Sequence, residues 1–470
     1  MRTQCNSRKF PFHRLGKRRV TARFNGGHIV TDGGALLLRR TEERTRILRR
    51  FAECFTDYRD ARRTEHKVSD LIAQRIYALA LGYEDLSDHD VLRHDPLLAA
   101  LVGKDDVTGE RRPRRRDRGC PLAGRNTLNR LELTPEGASS GDRYKKIEID
   151  FSAVDQLLVD VFLESYAEPP EQIVLDLDAT DDPLHGKQEG RFFHGYYDAY
   201  CYLPLYIFCD DHLLCARLRP ADGDASAGAL EEVAGFVAAI REKWSEVRII
   251  LRADSGFCRD AIMTWCEAQD VDFVFGIARN ARLERRLEKA LRRAEALAQK
   301  AGGRARVFED FTYRTLESWS RRRRVVGKAE VLPLGRNPRF VVTSLAKAEW
   351  DARALYEDLY CARGDMENRI KEQQRYLFAD RTSTHWIRSN QVRLSFSSVA
   401  YLLLSAMRRM ALKGTELARA QCNTIRTKLL KIGALVQVTA RRIWVSLSSS
   451  YPYAAVFAAA YHNLSRAPPR

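Results

Sequence analysis

Two apolar runs that each stop on an aspartate set the strongest limit on what this chain can fold into. Ile173-Val-Leu-Asp-Leu-Asp runs into Ala-Thr, and Val247-Arg-Ile-Ile-Leu-Arg-Ala-Asp runs into Ser-Gly-Phe. Aliphatic residues this dense read as strands, and the Asp and small residues after them read as exits into turns. Other strand signals flank them. Phe193–Phe208 reads as two strands of a meander broken near Pro204, Leu213–Leu218 extends it, and Asp272-Phe-Val-Phe-Gly-Ile-Ala is a further strand. Ala229–Trp244 and Arg259–Ala268 have helical periodicity. The order strand, strand, strand, helix, strand, helix, strand predicts an α/β fold: a mixed sheet with helices on both faces. Right-handed crossovers between parallel strands lay the helices there.

The flanks differ in texture. Residues 1–150 are rich in Arg and His and mainly helical, with a helix over Asp70–Leu81 stopped by Gly82 and a shorter one at Asn126-Thr-Leu-Asn-Arg-Leu-Glu-Leu. Leu283–Ala301 is a basic helix. Arg306–Tyr313, Arg324–Leu332 and Arg339–Thr343 then read as strands of a β-rich insertion at about 281–345. A long helix follows from about Ala352 to Tyr376, and the chain beyond 390 is mostly helical with a Pro/Arg tail. The expected division is 1–150, 151–390 and 391–470.

Composition narrows the partner. The 470 residues are 45% hydrophobic, enough for two or three cores. Lys and Arg number 79 against 62 Asp and Glu, a net charge of +17, which points to nucleic acid before an anionic membrane. The longest apolar stretch, Val399–Met407, is too short to span a bilayer, and the charged N-terminus lacks the apolar segment of a secretory signal. The ten cysteines show no CxxC pair and no zinc spacing. They read as reduced core residues such as Cys201, Cys209 and Cys215, consistent with the cytoplasm. The run Arg111–Arg118, with Arg114 and Arg115 inside it, reads as a solvated loop that can also serve as a phosphate-contacting arm.

The carboxylates carry the chemistry. Alternation puts Asp176 and Asp178 on one sheet face, and Asp254 ends a second strand. Strand ends of an open α/β sheet are where sites gather. Ala179, Ser255 and Gly256 leave room for a substrate. On the 352–376 helix, Tyr356, Tyr360, Arg363, Glu367, Lys371 and Gln374 recur at three- and four-residue steps as one polar stripe, opposite Leu355, Leu359, Met366 and Ile370. Taken alone the stripe reads first as an exposed face with Arg/Glu pairs worth a few tenths of a kcal/mol. Three carboxylates suit two Mg2+ ions, hard cations that prefer oxygen. Two such ions about 3.5–4 Å apart can assist both oxygens of an in-line phosphoryl displacement.

Together these residues resemble the DDE transposases of bacterial insertion sequences, in particular those with a β-rich insertion in an RNase H-like domain. The resemblance rests on Asp178-x-Thr180, Asp254-x-Gly256-Phe257 and Tyr360-x2-Arg363-x3-Glu367, and extends to Asn25-Gly-Gly and the Thr-Leu-Asn-Arg-Leu-Glu segment. It implies a catalytic, metal-binding trio of Asp178, Asp254 and Glu367, with Asp176 as the fallback for the first. It also implies two Mg2+ ions, for which Mn2+ can substitute, and cut-and-paste cleavage and strand transfer. Tyr360 and Arg363 would contact phosphates. The expected partners are double-stranded element ends and target DNA, bound by a homodimer at the bacterial nucleoid. Gln374 stands where the signature has Lys; Lys371 is one turn from Glu367. In relatives an aromatic of the insertion stacks on a flipped base, and Trp319, beside Arg321 and Arg322, is the candidate here, against the commoner reading of a Trp in a strand-rich insertion as core. His185 and His194 follow the first Asp and could help water or phosphate, but read first as turn or core histidines. Three readings compete: a nuclease of the same fold, a catalytically silent DNA-binding derivative, and a basic structural or RNA-binding protein. The complete trio argues against the last two.

Overall fold

The computed structural model of this chain describes residues 9–466; the extreme N-terminus and the Pro/Arg tail lie outside them. A nine-stranded mixed sheet stands at the centre. Its main strands are β1 (Gln172–Ala179), β2 (Leu205–Cys209), β3 (His212–Arg217), β4 (Arg248–Ala253), β5 (Asp272–Ile277), β6 (Ala305–Tyr313), β7 (Arg323–Leu332) and β8 (Arg339–Thr343). Across the sheet they run β3-β2-β1-β4-β5-β8-β7-β6, and a short strand at Gly335–Arg336 pairs with β7. β1, β4 and β5 are mutually parallel, and the other pairings are antiparallel.

Alternation along the parallel strands builds two apolar layers. Leu175, Leu177, Ile249, Leu251 and Ala253 face the helices Ala229–Lys243, Asp260–Ala268 and Ala281–Ala301. Val174, Ile250, Val274, Val326 and Val341 face Leu355, Tyr356 and Leu359 on the other side. This is the expected α/β architecture with helices on both faces, and it is consistent with an RNase H-like fold. The meander divides more sharply than its sequence suggests. Phe192–His194 and Ala199–Tyr202 form a small separate sheet with Asp182–Pro183, and only β2 and β3 join the central one. Pro204, which has no N–H to donate, stands between the two. Past the helix Ala281–Ala301, β6, β7 and β8 lengthen the central sheet instead of forming one of their own, and Val325, Ala329 and Val342 share a core with Leu283, Leu287 and Leu291 of that helix.

A helical body packs beside the sheet. Leu36–Thr45, Val68–Leu81, Gly364–Leu377, Ile387–Ala411 and Ala454–Arg466 contribute to one core. Most of Ile387–Ala411 is buried, and its serines Ser395 and Ser398 donate back to the carbonyls of Gln391 and Leu394, which satisfies their hydroxyls. The buried Glu132 is paired, accepting from Arg75 at 2.7 Å and from Arg393 at 2.8 Å. Within the mostly helical C-terminal stretch, Ala434–Val438 and Ile443–Leu447 form a hairpin, and its first strand pairs with His28–Val30 near the other end of the chain. Among the described residues no helix is long and apolar enough to cross a membrane, and the nine described cysteines are all free.

Candidate active site

The register of β1 and β4 sets Leu177 opposite Ala253, so one residue further on Asp178 stands beside Asp254 where both strands leave the sheet. Each carboxylate is steadied by the turn it enters. Asp254 accepts the Gly256 N–H at 2.8 Å, and Asp178 accepts the N–H of Ala179 at 3.0 Å. The third element is the helical segment from Ala352 to Leu377. It passes through a π-helical stretch at Leu355–Tyr360 and a tight turn at Cys361–Arg363 before the regular helix Gly364–Leu377. Such π stretches are frequent at functional sites. Arg363 leaves this turn with Nη1 3.5 Å from Asp178 Oδ2, while Nη2 donates to Glu367 Oε1 at 2.8 Å. Asp178, Asp254 and Glu367 therefore line one cavity of about 530 Å³, shared with Arg363, Lys371 and Gln374.

The electrostatics are unbalanced. Burial raises the Asp178 carboxyl to about 7; Arg363 pulls it down, and Asp254 and Glu367 push it up again. Burial works against the Arg363 charge, but Asp178, Tyr360, Glu367 and Asp254 together outweigh it and hold the guanidinium more firmly protonated; its Nη1 is buried without a hydrogen bond. Tyr360 fits only because Gly276 lacks a side chain: its hydroxyl oxygen would lie 2.5 Å from a Cβ placed there. That ring borders a second cavity of about 230 Å³, lined by Asp254, Ser255, Arg279 and Arg339. Burial raises the Tyr360 hydroxyl as well.

Asp176 has a different role. Arg252 grips it from both sides, Nε at 2.5 Å and Nη2 at 2.7 Å, and the third arm of Arg252 donates to the Leu359 carbonyl at 2.5 Å. The pair is buried and locks the helical segment onto the sheet; Asp176 does not line the cavity.

The remaining sequence candidates divide. Lys371 is exposed at the cavity, and Gln374 lines it while donating to the Asp181 carbonyl at 3.1 Å. Trp319 is a correction. It is 3% exposed, edge-on to Tyr313 at 5.8 Å and part of the core under the sheet, so no base can stack on it. Arg321 pairs with Glu267 at 2.5 Å and Arg322 is exposed; neither lines the cavity. Arg114 and Arg115 are exposed on their loop. Tyr356 leaves the polar stripe for the core, 5.7 Å from Phe308. His194 lines the cavity and His185 does not. Tyr197 and Asp224 also line it without having been singled out. Tyr197 follows His194 in a turn closed by Asp198 at φ +51°, a segment that reads as continuous strand, and Asp224 sits in an ordinary Asp-Gly-Asp turn signal.

Among the described residues no three His, Cys, Asp or Glu side chains stand close enough together to hold a metal ion as they are, and Glu367 is hydrogen-bonded to Arg363. The donor set still suits a hard divalent cation. It is wholly carboxylate, and Asp178, raised first by burial and then by its neighbours Asp254 and Glu367, has only Arg363 as a cation beside it. A comparison with curated protein sequences finds no match. The family model described as transposase DDE domain group 1 matches residues 12–469, and this chain belongs to that family of DDE transposases.

Proposed function

We propose that this chain cuts DNA at the ends of its mobile element and joins the freed ends to target DNA, with Asp178, Asp254 and Glu367 as the catalytic trio. The observation that carries this reading is the convergence of the three carboxylates on one cavity from β1, β4 and the helix Gly364–Leu377. Divalent ions, two Mg2+ or Mn2+, would be held by Asp178 and Asp254, with Glu367 joining as its pair with Arg363 gives way. When bound they would activate the attacking oxygen and stabilise the leaving one.

The chain's own residues supply the positioning. Arg363, with a buried donor free of hydrogen bonds, is placed to bind a phosphate oxygen beside the carboxylates. Tyr360 presents its hydroxyl next to Asp254 from the Gly276 notch. Lys371 adds charge at the rim, and Gln374 offers an amide where the family signature has an ammonium. Residues 1–150, including Arg114 and Arg115, would read and grip the element's ends, and two chains would hold two ends together.

The test is cleavage of a labelled duplex carrying the element's own end, with Mg2+ or Mn2+, by the unaltered chain and by Asp254→Ala. Metal-dependent nicking lost in the variant while DNA binding persists supports the trio. Equal cleavage by both moves the site elsewhere. Cleavage without joining to a second duplex leaves a nuclease.

A further inference from the structure

The segment from Lys9 to Ile29 is exposed at every residue, yet it has regular structure. Phe10–Pro11 pairs antiparallel with Thr21–Ala22, the Phe12 N–H donates to the Val20 carbonyl at 2.9 Å, and Leu15 and Arg18 exchange bonds at 3.0 and 3.1 Å. Gly16 turns the chain at φ +58°. The result is a two-stranded ribbon exposed along its whole length. Alternation gives it an apolar side, Phe10, Phe12, Val20 and Ala22, and a polar side with His13 and Arg19. Phe24 closes against Phe10 edge-on at 5.9 Å.

Its charge is one-sided. Between Lys9 and Phe24 stand Lys9, Arg14, Lys17, Arg18, Arg19 and Arg23, and no acid. Elsewhere most arginines of the fold are tied to carboxylates; among the described residues none of these six makes an ion pair. A bare two-stranded ribbon is marginal in water, so a partner that covers it completes it.

We propose that this ribbon is an arm that grips duplex DNA, with Arg14, Lys17, Arg18 and Arg19 on phosphates and the apolar side against the groove wall. A two-stranded ribbon fits the major groove. A second copy of the chain is the poorer occupant, since it would bring like charge onto uncompensated cations. The inference rests on DNA being the partner of the active site and adds a separate point of contact.

The experiment is fluorescence-anisotropy binding of the full chain to a labelled duplex from 50 to 200 mM KCl, without divalent ions. The variants are Arg14→Ala/Lys17→Ala/Arg18→Ala/Arg19→Ala and, as a charge-preserving control, Arg14→Lys/Arg18→Lys/Arg19→Lys. Losing four phosphate contacts should flatten the log–log salt slope by about 3–4, so that across this range the unaltered chain loses roughly 100-fold more affinity than the alanine variant. The lysine variant should keep the slope. An unchanged slope in the alanine variant, with the unaltered chain binding and cleaving normally, overturns the arm alone. Failure of the unaltered chain to bind duplex at all overturns both the arm and the proposed function. A fall in sedimentation-defined mass for Phe10→Ser/Phe12→Ser with an unchanged salt slope would assign the ribbon to chain–chain contact and overturn the proposal.

Discussion

Asp176 and Asp178 are two residues apart on one strand, face the same side and are both raised by burial, yet their partners differ. Asp176 is sealed by both inner arms of Arg252, whose third arm is spent on the Leu359 carbonyl. Asp178 shares Arg363 with Glu367, at the longer distance of 3.5 Å, next to a second aspartate and an open cavity. The first arrangement is closed and stabilises the attachment of a helix. The second is short of positive charge, which is the condition a cation or a phosphate-bearing substrate can relieve. An aspartate near a strand end takes its role from whether its neighbour strand supplies an arginine or another aspartate.

The largest effect that would test this contrast is on catalysis. Asp254→Ala should lower metal-dependent cleavage by roughly 1000-fold or more, several kcal/mol of barrier, while the melting temperature and DNA affinity stay near those of the unaltered chain. Next comes stability at the sealed pair. Asp176→Asn leaves Arg252 buried without its counter-ion and should cost about 3–5 kcal/mol in denaturant unfolding. If Asp176→Asn were harmless and Asp254→Ala unfolded the chain, the two roles would have to be exchanged.

A smaller effect sharpens the electrostatic half of the comparison. The folded Asp178 carboxyl sits at about 7, above its ordinary 3.8, so the folded chain holds a proton that the unfolded chain has released. Stability from this group is therefore full below about pH 4 and lost as pH rises to 7. In chelator, Asp178→Asn should match the unaltered chain at low pH and exceed it above pH 7 by about 1–3 kcal/mol in thermal melts. The smallest effect is at the rim. Gln374→Lys should tighten binding to an element-end duplex a few-fold, by under about 1 kcal/mol, and steepen its salt dependence without moving the melting temperature.

The parallel strands and their terminal aspartates could be read from the sequence because buried parallel strands are nearly continuous apolar runs, and Asp254-Ser-Gly is an unmistakable exit. The Arg252 partner could not. An arginine in an apolar strand acquires meaning only through the register that lays it beside Asp176, and register lies outside any local pattern. Trp319 misleads for a related reason. Its arginine neighbours suggest a surface, but Arg323 is itself buried against Asp260 at 2.6 Å and Glu267 at 2.8 Å, and the tryptophan is enclosed with it. The hairpin Ala434–Leu447 escaped because both of its strands are only partly covered, which weakens the alternation that announces a strand.

The pairing of His28–Val30 with Ala434–Val438 also imposes a schedule. The early strand emerges from the ribosome roughly 400 residues before its partner, a wait of about 20–80 s at ordinary rates of synthesis. The helix that carries Glu367 shares its core with Ile387–Ala411, which is likewise a late arrival. During that interval the basic residues between Lys9 and Phe24 are already made, while the helix that carries Glu367 has still to find its packing. The order of synthesis thus puts the basic segment in place before the cavity can receive its third carboxylate.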